Sequence, residues 1–368
     1  MSKTVIIIIA VAALVLVAAV CAIVGIRYDL RRRRVMEFNK RDDDQVRYAF
    51  IINPSKPAAE RSRARIEEFC DAKGITDIEF IDTTLERTGR DCAMDAMRRG
   101  ADVLVAVGGD GTVRTVASAV SGTGKTLAIV PIGTGNLFAR NMGIPVDDIE
   151  AALTVATSRG ERMVDMGRMA LLDRHDDHAH AFLIIAGTGF DADMIDDTDP
   201  ELKKNISWLA YFSGGLKHLF APKYRASVSI TNADGSTRTA SKVHFRTFMA
   251  GNCGQIPVFS LMPNAVYDDG LLDFEIIDTN GGLLGWLNLF GGVVQQTVTG
   301  KVNENPISEN STMDQIQGVS AELRLEKPAL AQVDGDMLGT TSHIRFTVEH
   351  KALKVRVPAS GPVEQDAE

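Results

Sequence analysis

At 368 residues, 45% hydrophobic and 24% charged, the chain is long enough for two globular domains, and its composition excludes a disordered or fibrous protein. A net charge of −8 excludes nucleic-acid binding through overall basic charge, so any polyanionic ligand must be met by a local site. The four cysteines (Cys21, Cys70, Cys92, Cys253) show neither C-x-x-C pairing nor metal spacing, and read as reduced structural thiols.

The first element is "TVIIIIAVAALVLVAAVCAIVGI", residues 4–26, uncharged and longer than the roughly 20 residues a membrane-spanning helix needs. A cleaved secretory signal has a shorter apolar core, about 7 to 15 residues, so the run predicts a spanning helix. Arg27 and Arg31, Arg32, Arg33 and Arg34 follow it, and only Lys3 precedes it. The excess of positive charge on that side places the rest of the chain in the cytoplasm, and the same arginines suit anionic headgroups. Residues 1–34 therefore read as a transmembrane anchor with a basic flank, and the polar residues 35–46 as a linker.

From 47 to 159 strands and helices alternate. "RYAFII" (47–52), "DIEFID" (77–82), "ADVLVAV" (101–107) and "LAIVPI" (127–132) are strand candidates. Between them run a helix from Pro57 to Gly74, another over 90–100, a third from Thr112, and a fourth from about Asn136. Short apolar strands separated by helices predict a parallel sheet covered on both faces, an α/β nucleotide-binding domain. Residues 160–358 change to longer alternating runs. "ASVSI", the turn "NADG" (232–235) and "SKVHFRTFMAG" predict a hairpin, and "LLDFEII", "AELRLEK", "SHIRFTVEH" and "KALKVRV" continue a mainly antiparallel second domain. Helix-like inserts at 204–220 and 281–296 and a polar loop at 302–315 interrupt it, and 359–368 is a disordered tail.

Parallel α/β sheets bind ligands beyond the carboxyl ends of their strands, and glycine loops lie at those ends. "NPSK" (53–56) follows the first strand with Asn53 and the cation of Lys56; "GGDGT" (108–112) follows the third; "GTGN" (133–136) follows the fourth. Each opens a helix whose free amides favour phosphate, and glycine lets the backbone approach it closely. "SGTGKT" (121–126) resembles the end of a P-loop, but Ala119 stands where the first glycine is needed and a strand follows, so it reads as a turn. Asp110, inside the cradle, repels phosphate unless it holds a cation or takes up a proton, as phosphoryl transfer requires. "DRHDDHAH" (173–180) reads as a solvated hairpin loop rather than a metal site. The aromatic helix-like inserts fit either core packing or a lipid-facing role.

Taken in order and spacing, "NPSK", "VGGDGT", "PIGTGNLFAR", "VDMG", "GNCGQ", "PNAVYDDGLLDFEII" and "VDGD" resemble the diacylglycerol kinase catalytic-domain family, which includes bacterial lipid kinases and sphingosine kinases, over residues 47–358. The resemblance implies an α/β domain and a β-sandwich lipid and metal domain, with ATP between them, Mg²⁺, and transfer of the γ-phosphoryl group to a lipid hydroxyl. It implies nucleotide contacts from Asn53, Gly109, Asp110, Gly111, Thr112, Gly133, Thr134, Gly135 and Asn136, and from Thr83 or Thr84. It implies a structural Mg²⁺ site at Asp269 and the Leu271 carbonyl, with Asp165 linked through water. Asp336 falls where the family's D-G-E motif carries a glutamate general base, while Asp110 matches a residue thought to serve as the base in sphingosine kinases.

Leu137 replaces an aspartate often found after the GTGN asparagine, and Asp336 is one methylene shorter than glutamate. The reading is a membrane-anchored lipid kinase acting on diacylglycerol, with the bilayer and a membrane lipid as partners and no nucleic acid. The oligomeric state, a homodimer included, is open. The alternatives are an NAD kinase-like enzyme, for which a membrane span has no use, and a catalytically silent lipid- or nucleotide-binding regulator.

Overall fold

The computed structural model describes residues 46–174, 178–189, 223–253, 255–256, 259–260, 262, 265–279 and 311–359. The spanning run and its basic flank, the linker up to residue 45, the inserts at 204–220 and 281–296, Cys21 and the tail from residue 360 lie outside them. Among the described residues no helix is long and apolar enough to cross a membrane.

The alternating region forms β1 (Tyr48–Ile52), α1 (Ala59–Lys73), β2 (Ile78–Asp82), α2 (Gly89–Arg98), β3 (Val103–Gly108), α3 (Asp110–Val120), β4 (Thr126–Pro131), α4 (Leu137–Asn141) and α5 (Ile149–Ala156). The strands pair in parallel in the order β4-β3-β1-β2. Successive β1 residues serve different cores: Ala49 and Ile51 pack with α2 and α3, whereas Tyr48, Phe50 and Ile52 pack with α1. This two-faced burial is what near-continuous apolar strands require. Gly74 ends α1 at φ 66, and a Thr88–Asp91 capping box starts α2. Helix α3 begins at Asp110 rather than Thr112, which puts the acid in its first turn. "SGTGKT" is a turn, with Gly122 and Gly124 at positive φ before β4.

The rest is strand-rich: β5 (Glu161–Leu171), β6 (His180–Phe182), β7 (Ile185–Gly189), β8 (Tyr224–Thr231), β9 (Thr237–Phe245), β10 (Thr247–Gly251), β11 (Gln255–Ile256), β12 (Phe259–Ser260), β13 (Leu272–Thr279), β14 (Ser311–Gly318), β15 (Ser320–Val333) and β16 (Asp336–Arg356). The β8–β9 hairpin turns at "NADG", and β5 pairs antiparallel with β6, while residues 175–177 of "DRHDDHAH" lie outside the described residues. Three expectations change. "SKVHFRTFMAG" is two strands, broken at Arg246; the polar segment expected to loop through 302–315 is strand from Ser311; and "SHIRFTVEH" and "KALKVRV" are parts of one strand, β16.

The far end of β16 lies parallel to β4, Lys354 and Val355 beside Thr126 and Leu127, so one hydrogen-bonded sheet runs through both halves. On the path β13-β10-β7-β15-β16, Phe274 and Phe346 would stand about 19 Å apart in a flat sheet. Their ring centroids are 6.3 Å apart, so the antiparallel part is a sheet curled round an aromatic core rather than two unconnected layers. Register shifts in β15 and β16 provide the bends.

Candidate active site

The loops after β1, β3 and β4 meet at one edge of the parallel sheet. Asn53 Nδ2 donates to Thr112 Oγ1 at 3.2 Å, tying the first loop to the first turn of α3. Gly109 and Gly133 touch backbone to backbone: a Cβ on Gly133 would lie 2.5 Å from Gly109 Cα and 2.8 Å from Asn136 Oδ1. A Cβ on Gly109 would stand 3.8 Å from Lys56 Nζ, so the ammonium lies over the bare backbone where the sequence places a phosphate. Asn136, buried at φ 49, closes the second loop by exchanging hydrogen bonds with the amide and carbonyl of Gly133. Thr134 is exposed at its tip. Thr83 sits one strand further out, its amide bonded to the Ile52 carbonyl, and Thr84 is exposed and donates to Glu86.

Asp110 aims its carboxylate away from its own helix and at the next one. Its Oδ1 accepts from the Phe138 amide at 3.3 Å, and a Cβ on Gly135 would come within 2.9 Å of Oδ2. Burial pushes its carboxyl above the usual range, against the opposing pull of the Phe138, Leu137 and Asn136 amides. Leu137 packs on the main core, so it supplies no second carboxylate there.

Asp336 reaches this edge from the other half. It pairs with Arg114 on α3, and its Oδ2 lies 3.5 Å from where a Gly111 Cβ would be. Two residues to which the sequence assigned no role hold it there: Arg114, and Asp334 of the "VDGD" motif. Arg114 is the only charged residue of α3 after Asp110, on an otherwise small and apolar helix, and that isolation was the available signal. Asp334, half-buried, accepts from the amides of Leu183, Ile184 and Ile185 at 2.8–3.0 Å and fastens the turn before Asp336 to the β6–β7 connection. Burial raises its carboxyl to about 6, with those amides and Arg114 opposing.

Asp269, Leu271 and Asp165 gather at a different place, the loop before β13. Asp165, fully buried, accepts from the amides of Gly270 and Lys351, both at 2.6 Å, and meets His350 Nδ1 at 3.0 Å. Both its oxygens are thus engaged by protein donors. Asp269 Oδ1 takes the Leu271 amide at 2.9 Å, and burial, then repulsion from Asp165 and Asp268, raises its carboxyl. No group of three or more His, Cys, Asp or Glu side chains arranged for a metal occurs among the described residues. The loop offers a mutually repelling carboxylate pair and a main-chain carbonyl, hard oxygens that suit Mg²⁺ completed by water, with Asp165 orienting the loop rather than donating directly.

Residues 47–169 match the diacylglycerol kinase catalytic domain. A probable YegS-like lipid kinase of Pseudomonas aeruginosa is 32% identical over 278 residues, covering 73% of this chain and 81% of that protein. An uncharacterised protein of Synechocystis is 30% identical over 271 residues; the alignment takes in 72% of this chain and 56% of that longer protein's length. Among solved structures, a diacylglycerol kinase of Bacillus anthracis superposes with a TM-score of 0.63 at 19% identity, over 87% of this chain and 99% of that one, a likeness of fold.

Proposed function

Since the chain belongs to the diacylglycerol kinase catalytic-domain family of bacterial lipid kinases, we propose that it transfers the γ-phosphoryl group of ATP to the hydroxyl of diacylglycerol, giving phosphatidic acid, while anchored to the membrane by residues 4–26. One observation carries the reading. Asp336, remote in sequence, stands over the first turn of α3 beside the paired glycine loops, so a phosphate cradle and a candidate base face one space.

In this reading the Gly109 and Gly133 backbones and Lys56 hold the nucleotide phosphates, while Asn53, Thr112 and Asn136 keep the loops in register. A divalent cation, Mg²⁺, neutralises phosphate charge in such reactions. Asp336 takes the proton of the acceptor hydroxyl as that oxygen bonds to the γ-phosphorus and the bond from that phosphorus to the bridging oxygen breaks, releasing ADP, and Arg114 fixes the carboxylate's position. Asp110, half-buried and with its carboxyl raised, is the second group able to hold a proton or a cation there. Anchoring suits an acceptor that stays in the bilayer, because a tethered enzyme avoids a separate binding step.

The engagement of Asp336 by Arg114 also favours a second reading, nucleotide binding without turnover. Both are tested by incubating the purified full chain with radiolabelled ATP and a panel of lipids and resolving the products by thin-layer chromatography. Labelled phosphatidic acid from diacylglycerol is the expected result. Label in another lipid corrects the acceptor, and ATP binding with no labelled lipid supports the silent regulator.

A further inference from the structure

A cavity of about 920 Å³ opens between one face of α2, the last turn of α3, and strands β5 and β16. Helix α3 runs from Asp110 to Val120, so the cavity lies about 16 Å along it from the glycine loops. Four cationic side chains line it, Arg90, Arg98, Lys125 and Arg168, in a molecule whose net charge is −8. Arg98 and Lys125 are matched by Asp95 and Asp102. Arg90 and Arg168 converge on a single hydroxyl: Arg90 Nη1 donates to Ser118 Oγ at 2.8 Å, and Arg168 Nη1 reaches the same atom at 3.4 Å. Among the described residues Arg90 pairs with no carboxylate, and Glu349, 2.9 Å from Arg168, also accepts from Ser121. Two guanidiniums drawn to one neutral acceptor repel each other, and nothing in the proposed phosphoryl transfer uses them.

The geometry points to a second anion site, in which Arg90 and Arg168 clamp a phosphate group carried by a lipid headgroup or a free phosphate. A guanidinium presents a planar fork of donors matched to phosphate oxygens, and a dianion between two forks replaces their repulsion with charge-assisted hydrogen bonds. The Ser118 and Ser121 hydroxyls complete the donor set, and Glu349 is the competing anion that a ligand displaces from Arg168.

Hydrogen exchange of the full chain tests this, with inorganic phosphate as one probe and phosphatidylcholine vesicles with and without phosphatidic acid as the other. Bound phosphate should slow exchange in residues 118–125 and 166–170, separately from any slowing in the glycine loops. The double variant Arg90→Gln with Arg168→Gln should weaken the apparent phosphate affinity read at 118–125 by about tenfold or more, with the glycine loops unchanged. Glu349→Gln, which removes the competing charge and preserves shape, should tighten it several-fold. Slowing by inorganic phosphate supports the site with a free phosphate as ligand, and slowing only by phosphatidic acid vesicles supports it with a headgroup. No slowing with either probe, slowing that survives the double variant, or a Glu349→Gln protein that binds no more tightly overturns the proposal.

Discussion

Arg114 and Asp336 form an ion pair in which the arginine side chain is 13% exposed and the aspartate 57%. A carboxylate this open to water gains only about 0–1 kcal/mol of stability from its partner, so the pair acts on position more than on folding. Asp336→Asn should therefore lower turnover by ~10²–10⁴-fold with nucleotide affinity nearly unchanged, measured as kcat against the ATP dissociation constant. Full activity in that variant would leave Asp110 as the base. Arg114→Gln should lower kcat in the wild-type background and add little in the Asp336→Asn background, while unfolding free energy moves by no more than ~1 kcal/mol. Independent effects in the double variant would show that Arg114 works through something other than Asp336.

At the scale of elements, the glycine loops are constrained by each other. Gly133→Ala places a methyl group 2.5 Å from the Gly109 Cα, and backbone on both sides cannot yield as a side chain would. The expected cost is ~1–3 kcal/mol of stability together with lost nucleotide affinity, read by thermal unfolding with and without ATP. A second element-level consequence lies in β13. Glu275 is buried with neither carboxylate oxygen hydrogen-bonded, and burial, then repulsion from Asp273, raises its carboxyl to about 8. The folded protein thus favours the protonated form. The stability Glu275 contributes is fully present below its ordinary value of 4.5 and is lost as pH rises through about 8. Denaturant unfolding at a series of pH values should show a decline over that window, on the order of a few kcal/mol, that Glu275→Gln lacks. An identical decline in the variant would assign the titration elsewhere.

Across the whole molecule, one apolar core crosses the join between the halves: Val113 and Val116 of α3 belong to the same cluster as Met249 and Ile277 of the antiparallel part. With β16 bonded to β4, the antiparallel and parallel halves share both a sheet and a core. If residues 4–26 tether this body to the bilayer, a chain lacking residues 1–34 should phosphorylate lipid in detergent micelles at close to the full-length rate and lose most of its activity on vesicles. Equal activity of the two proteins on vesicles would remove the anchor from the mechanism.

The parallel sheet, its helices and the positions of the glycine loops were legible in the sequence, because apolar periodicity, glycine and proline act within a few residues and report local backbone requirements. The placing of Asp110 on the neighbouring helix, the partnership of Asp336 with Arg114, and the clamping of Asp334 by three amides were not. Each joins groups far apart in the chain, through side chains whose types are ordinary wherever they stand. Long β strands posed the same problem at a larger scale: "SHIRFTVEH" and "KALKVRV" looked like separate strands because alternation breaks near Lys351, where φ is 47, yet β16 continues through the irregularity. Sequence alone therefore determined which loops can approach a phosphate, since that depends on residues lacking a Cβ. Only the tertiary structure showed how Asp336, singled out in the sequence by resemblance alone, comes to stand beside them, because strand pairing and core packing, not spacing along the chain, bring β16 to the amino end of α3.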